Sequence, residues 1–207
     1  KINLSPLSPL EYLLYFLLMS IFEYTSVLSS IIIGLGIAQI LRGIVQLIHH
    51  PEDGKPYPVH LGWVIVTLML SVVWWWFQFS LAEVEQWSFG SYAFLITYSV
   101  TVYLMCAVLF PSRIESYGNY KEFYYSKKHW FFGLFILQNV VDIIDTLIKG
   151  GIERFFSFGL IYSLGTPLIV IFAVIAIYTR NEKFHALFVL GMMWQTLGRA
   201  LQFPTMG

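Results

Sequence analysis

WFFGLFILQNVVDIIDTLI, residues 130–148, is the stretch on which the fold turns. At about 1.5 Å per residue it is long enough to cross the roughly 30 Å hydrocarbon core of a bilayer as one helix. Yet it carries Gln138, Asp142 and Asp145, and Lys149 follows at once. At about 100° per residue these four side chains fall within an arc of about 60° on one helix face. A carboxylate at the bilayer centre costs roughly 2.5–3.5 kcal/mol on insertion scales, so two nearly cancel what the segment's Leu, Ile, Val and Phe residues gain. The stripe therefore needs partner side chains or a water-filled cavity.

The rest of the chain supplies the setting. Of its 207 residues 57% are hydrophobic and 12% charged, and the mean hydropathy is +0.70. Long apolar runs recur from end to end, which excludes an ordinary soluble domain and predicts an all-α, polytopic transmembrane helix bundle. Zero formal net charge argues against a nucleic-acid partner. The single cysteine, Cys106, lies in an apolar run, so no disulfide framework is expected.

Six spans are predicted, at about 23–48, 61–80, 89–110, 130–148, 155–178 and 184–203, forming one membrane domain over residues 23–207. The connections hold the breakers: Pro51 to Gly54, Pro111 to Lys128, Lys149-Gly150-Gly151, and Arg180 to Lys183. Residues 1–22 form a separate segment. Ser8-Pro9-Leu10-Glu11 and Ser20-Ile21-Phe22-Glu23 both read as capped helix starts, so an interfacial or re-entrant helix over about 9–19 precedes span 1, or Met19 is the start and residues 1–18 lie upstream of it.

Lys and Arg set the orientation. The first, third and fifth connections with their flanks hold Arg42, Lys55, Arg113, Lys121, Lys127, Lys128, Arg180 and Lys183, against Lys1, Lys149, Arg154 and Arg199 on the other face. The bias puts connections 49–60, 111–129 and 179–184 in the cytoplasm. Tyr117, Tyr120, Phe123, Tyr124 and Tyr125, interleaved with Lys121, Lys127 and Lys128, predict a segment lying at that interface beside anionic lipid headgroups. Trp74, Trp75, Trp76 and Trp87 predict an aromatic belt at the opposite face. Size and layout resemble those of small multi-pass proteins of bacterial inner membranes.

Depth then selects partners for the stripe. Asp142 lies about 18 Å and Asp145 about 22 Å into span 4, and Arg199 about 21–23 Å into the parallel span 6. Gln195 and Arg199 share a face of span 6, and Glu23 enters span 1 from the same side. The expected site is a buried Asp142/Asp145–Arg199 pair with Gln138, Gln195 and Glu23 around it. Gln39, Gly43, Gln46 and His50 form a second stripe on span 1, where a Ser26, Ser30, Gly34 ladder reads as a packing face. Span 5 is expected to kink at Gly165-Thr166-Pro167, freeing backbone carbonyls.

All five histidines fall on the predicted cytoplasmic face. His50, His129 and His185 are the candidate ligands for a transition metal, without any HExxH or paired-carboxylate spacing behind them. No resident cofactor is otherwise expected, and no GxSxG, Walker or dinucleotide motif marks an enzyme. Three functions fit the sequence. The first is a channel or secondary transporter for a small solute, ion or proton. The second is a non-catalytic membrane subunit or scaffold in which the cluster locks the bundle's helix packing or meets a partner helix, of a second copy or of a partner membrane subunit. The third is a membrane enzyme using the histidine face on lipid or quinone.

Overall fold

Seven helices and no strand make up the described part of the computed structural model, residues 21–49, 55–78, 88–157 and 159–202. They are α1 (Ile21–His49), α2 (Pro58–Phe77), α3 (Phe89–Val108), α4 (Tyr120–Ser157), α5 (Leu160–Ser163), α6 (Gly165–Tyr178) and α7 (Glu182–Gln202). The expected helix over 9–19, Met19, His50 and Trp87 lie outside the described residues, as do the side chains of Asp145, Lys149, Arg154 and Arg199.

Helix starts follow from local chemistry. Pro58 opens α2, where its missing N–H has no helical partner to lose. The Ser88 hydroxyl accepts from the Ser91 N–H at the head of α3. Asn119 accepts from the N–H groups of Lys121 and Glu122, and Asn181 does the same for Lys183 and Phe184. The Asn119 cap makes residues 120–129 the first turns of α4 rather than a separate short segment. Tyr120, Phe123 and Tyr124 recur at the helical spacing, and the first turns of α4 bury them.

Three helices, α1 to α3, are long and apolar enough to cross a membrane, while α6 is apolar but only 14 residues long. The apolar surface they leave outward is large. Only 22% of the most apolar window of α1 is buried, and Val27, Ile31, Leu35 and Leu41 stand at least half exposed along it. Soluble monomers do not carry such a face.

Segments 4 and 5 depart from straight spans. α4 runs from ten residues before Trp130 to Ser157, and Gly151 within it has φ +64°, a left-handed conformation that interrupts a helix at the expected Lys149-Gly150-Gly151 punctuation. The fifth segment is not one helix over 155–178. Gly159, at φ +83°, ends α4's tail, the one-turn α5 follows, and α6 begins at Gly165. Pro167 sits in the first turn of α6, so the Ser163 carbonyl has no N–H four residues on to receive.

Side-chain contacts gather alternate helix ends. At one end, the His60 Nε2–H donates to the Leu109 carbonyl, Tyr57 meets Tyr125, Lys121 pairs with Glu182, and Leu47 packs on the cluster of Ile114, Tyr120 and Phe123. The described residues of connections 49–60, 111–129 and 179–184 therefore lie together. At the other end, Ser29 donates to Gln78, Trp75 donates to Ser30, and Trp74 stacks on Tyr98 at 4.3 Å. Between them Trp63, fully buried, takes edge contacts from Phe131, Phe132, Phe135 and Phe188.

α1 packs along α3 through glycines, though not through the expected ladder. A Cβ on Gly43 would stand 2.1 Å from the Phe110 ring, and one on Gly36 would stand 3.2 Å from Tyr103 Cα. Gly34 faces open space, and Ser30 is taken up by the Trp75 indole. Close approach in a membrane bundle replaces the hydrophobic drive that lipid cannot supply.

Candidate functional site

Midway along the bundle α4, α6 and α7 enclose a polar cavity of about 80 Å³, enough for several waters. Its polar walls are Gln138, Asn139 and Asp142 from α4, Thr166 from α6, and Gln195 and Thr196 from α7. Leu70, Tyr98, Phe135, Ile169 and Met192 complete it. Along the helices, Gln138 stands about 15 Å from Lys128 at one end, and Tyr98 about 15 Å from Ser88 at the other. The cavity is thus well removed from the ends of the bundle.

Two of its groups are unfilled. Gln138 Oε1 and Thr166 Oγ1 are buried without a hydrogen-bond partner, on side chains only 7% and 2% exposed. Buried polar groups in folded proteins are nearly always paired, with protein or with water. Asp142 is held: the Tyr162 hydroxyl donates to its Oδ2 over 2.8 Å, and Thr146 Oγ1 lies 3.1 Å from the same hydroxyl. Tyr162 sits on α5, so the break in the fifth segment is what brings a donor to Asp142. The Gln195 amide lies against Gly165 at the head of α6. Asn139 and Thr196 bond back to the carbonyls of Phe135 and Met192 on their own helices.

The structure brings Gln138, Asp142 and Gln195 to one cavity. The pairing of Asp142 and Asp145 with Arg199 involves side chains outside the description, and Tyr162 is the bonded neighbour of Asp142 that the sequence did not single out. Glu23 is exposed at the head of α1 and does not line the cavity. Gln39 is half-buried and Gln46 exposed on α1, and neither lines it. Asn139, Thr166, Thr196 and Tyr162 were missed as site residues. Thr166 had a signal, because it lies in the Gly165-Thr166-Pro167 break.

A second cluster closes the end where the first, third and fifth connections meet. Lys128, 7% exposed, donates through Nζ to the carbonyls of Ala176 at 3.0 Å and of Thr179. His185 Nε2–H donates to the same Thr179 carbonyl, which leaves Nδ1 to accept from the Tyr124 hydroxyl at 2.8 Å. Burial, then the charge of Arg180, lowers the Lys128 pKa. Outside it, Arg180 pairs with Glu122 and Lys121 with Glu182, and Glu182 raises the Lys121 pKa. The lysine and the ring act as a cap on the carbonyl end of α6.

The cap places the histidines. His185 has both ring nitrogens bonded within the protein, and His129 is exposed. Among the described residues no group of three His, Cys, Asp or Glu side chains is placed to hold a metal ion. No protein-family model, curated protein or solved structure matches the chain.

Proposed function

We propose that the chain is a small secondary transporter of six membrane spans, with the cavity at Gln138, Asp142 and Gln195 as its substrate or proton site. The observation that carries this reading is a bilayer-depth cavity with unfilled buried hydrogen-bonding groups, beside the head of a broken helix. Discontinuous helices in transporters present helix termini to a solute near the midplane, and an ionisable residue at that depth is costly unless it is used. Spans 1 to 3 are α1 to α3. Span 4 is α4 from about Trp130 to its interruption, span 5 is α5 with α6, and span 6 is α7. In the proposed topology connections 49–60, 111–129 and 179–184 face the cytoplasm of a bacterial inner membrane. Lys121 and Lys127 lie near its anionic headgroups, and Arg199, one turn beyond Gln195, supplies the cation at carboxylate depth.

The competing reading is a non-catalytic subunit in which the cluster only fixes packing. The Tyr162–Asp142 bond favours it, because one carboxylate oxygen is satisfied locally. Cysteine accessibility separates the two. In nanodiscs, Gln195→Cys reacts with a membrane-impermeant thiosulfonate if the cavity opens to water during a transport cycle, against the buried Cys106 as background. A Gln195→Cys protein as inert as wild type contradicts transport and leaves the packing role.

A further inference from the structure

A larger hollow of about 580 Å³ runs between α6 and α7. Its walls are nearly all apolar, with Leu168 and Phe172 on one side and Leu187 and Phe188 on the other. Gly165 and Gly191 line it too and put no side chain between the helices. Leu168, Phe172 and Leu187 are all exposed, so the slot opens on the outer face of the bundle, where the proposed topology places acyl chains. Ile169, Met192 and Gln195 line both this slot and the polar cavity. The two hollows therefore adjoin across Ile169, Met192 and Gln195. Beyond that junction wait the unpartnered Gln138 Oε1 and Thr166 Oγ1.

We infer that the substrate is a single-chain amphiphile with an uncharged, hydroxyl-bearing head that enters sideways between α6 and α7. The inference rests on the transport reading of the cavity and names the class of molecule it takes. An apolar slot open to lipid that ends in hydrogen-bonding groups matches a molecule built in the same order. The head follows from the groups it meets. Gln138 Oε1 needs a donor, the Thr166 hydroxyl takes either role, and the Gln195 amide offers both. A hydroxyl meets all three. A quaternary ammonium has no donor for Gln138, a primary ammonium cannot accept from Gln195, and an anionic head would approach the Asp142 carboxylate.

The test uses the whole chain in nanodiscs with a glycerol monoether of a hexadecyl chain that carries a mid-chain diazirine. After irradiation, mass spectrometry locates the adducts. Labelling is expected on α6 and α7 around Leu168, Phe172 and Leu187, and excess monoacylglycerol should chase it. Methylating both head hydroxyls, or Gln138→Leu with Thr166→Val, should weaken it roughly tenfold, the worth of two hydrogen bonds. Gly191→Phe fills the slot without touching the cavity and should abolish labelling in a protein that still folds. Equal labelling of Val27, Ile31 and Leu35 on α1, or labelling indifferent to the head and to both variants, overturns the inference, because the slot then holds bulk lipid. Glycerol flux in proteoliposomes without chain-dependent labelling leaves transport standing and removes the amphiphile. Labelling without any flux supports the amphiphile site and removes transport.

Discussion

Tyr162 donates its hydroxyl hydrogen to Asp142 Oδ2 over 2.8 Å, so the one-turn α5 and the polar face of α4 are joined at the wall of the cavity. The bond ties the break in the fifth segment to the carboxylate that made the fourth improbable. A straight fifth span would not place a tyrosine there.

Tyr162→Phe removes that donor and leaves the ring's contact with Phe155 in place. A buried acceptor left short of a donor costs about 1–3 kcal/mol. The expected result is a lower melting temperature in detergent together with altered transport, whereas Phe155→Leu should lower stability alone. Thermal unfolding and flux measured on both variants check this.

Lys128→Met should destabilise the bundle by about 1–3 kcal/mol, since it uncaps the Ala176 carbonyl, leaves the Thr179 carbonyl to His185 alone and removes a cation from a helix C-terminus. Hydrogen exchange should locate the loss in the last turn of α6 and the Thr179–Glu182 connection. Met keeps the apolar stem, so a loss spread evenly over all helices would point to a different role.

Gly43→Ala places a methyl group where the Phe110 ring already lies. Overpacking of this kind costs about 1–3 kcal/mol. Combining Gly43→Ala with Phe110→Ala should recover part of that loss, and a double-mutant cycle reads the coupling. Gly34→Ala, facing open space, should be close to neutral.

The Lys121–Glu182 pair is solvent-exposed and should respond to salt and pH rather than carry the fold. Glu182 raises the Lys121 pKa in the folded protein. Its contribution is therefore fully present below the ordinary lysine value and fades as pH rises through the raised one. Melting curves for wild type and Glu182→Gln should converge at high salt and at strongly alkaline pH.

Much of this arrangement was legible in the sequence. Gln138 and Asp142 were grouped as one helix-face stripe, and Gln195 entered through the face it shares with Arg199, the residue matched to the carboxylates by helical depth. The break near Gly165-Thr166-Pro167 was legible from Pro167, but not that it delivers Tyr162 to Asp142, since that depends on how the chain turns at Gly151 and Gly159. Lys121, Lys127 and Lys128 read alike in the sequence, as lysines beside lipid headgroups. Lys128 instead finds carbonyls on α6, a partner 48 residues away in sequence, which local pattern cannot reveal. His185 likewise looked ligand-competent, and only packing shows both of its nitrogens in use.

The most direct measurement is flux in proteoliposomes loaded with a pH-sensitive dye, under imposed proton and solute gradients. The account predicts that the wild-type protein dissipates a gradient faster than protein-free vesicles, and that Asp142→Asn, inserted to the same level and equally stable, does not. Wild-type vesicles indistinguishable from protein-free ones under every gradient, or undiminished flux in Asp142→Asn, would contradict it.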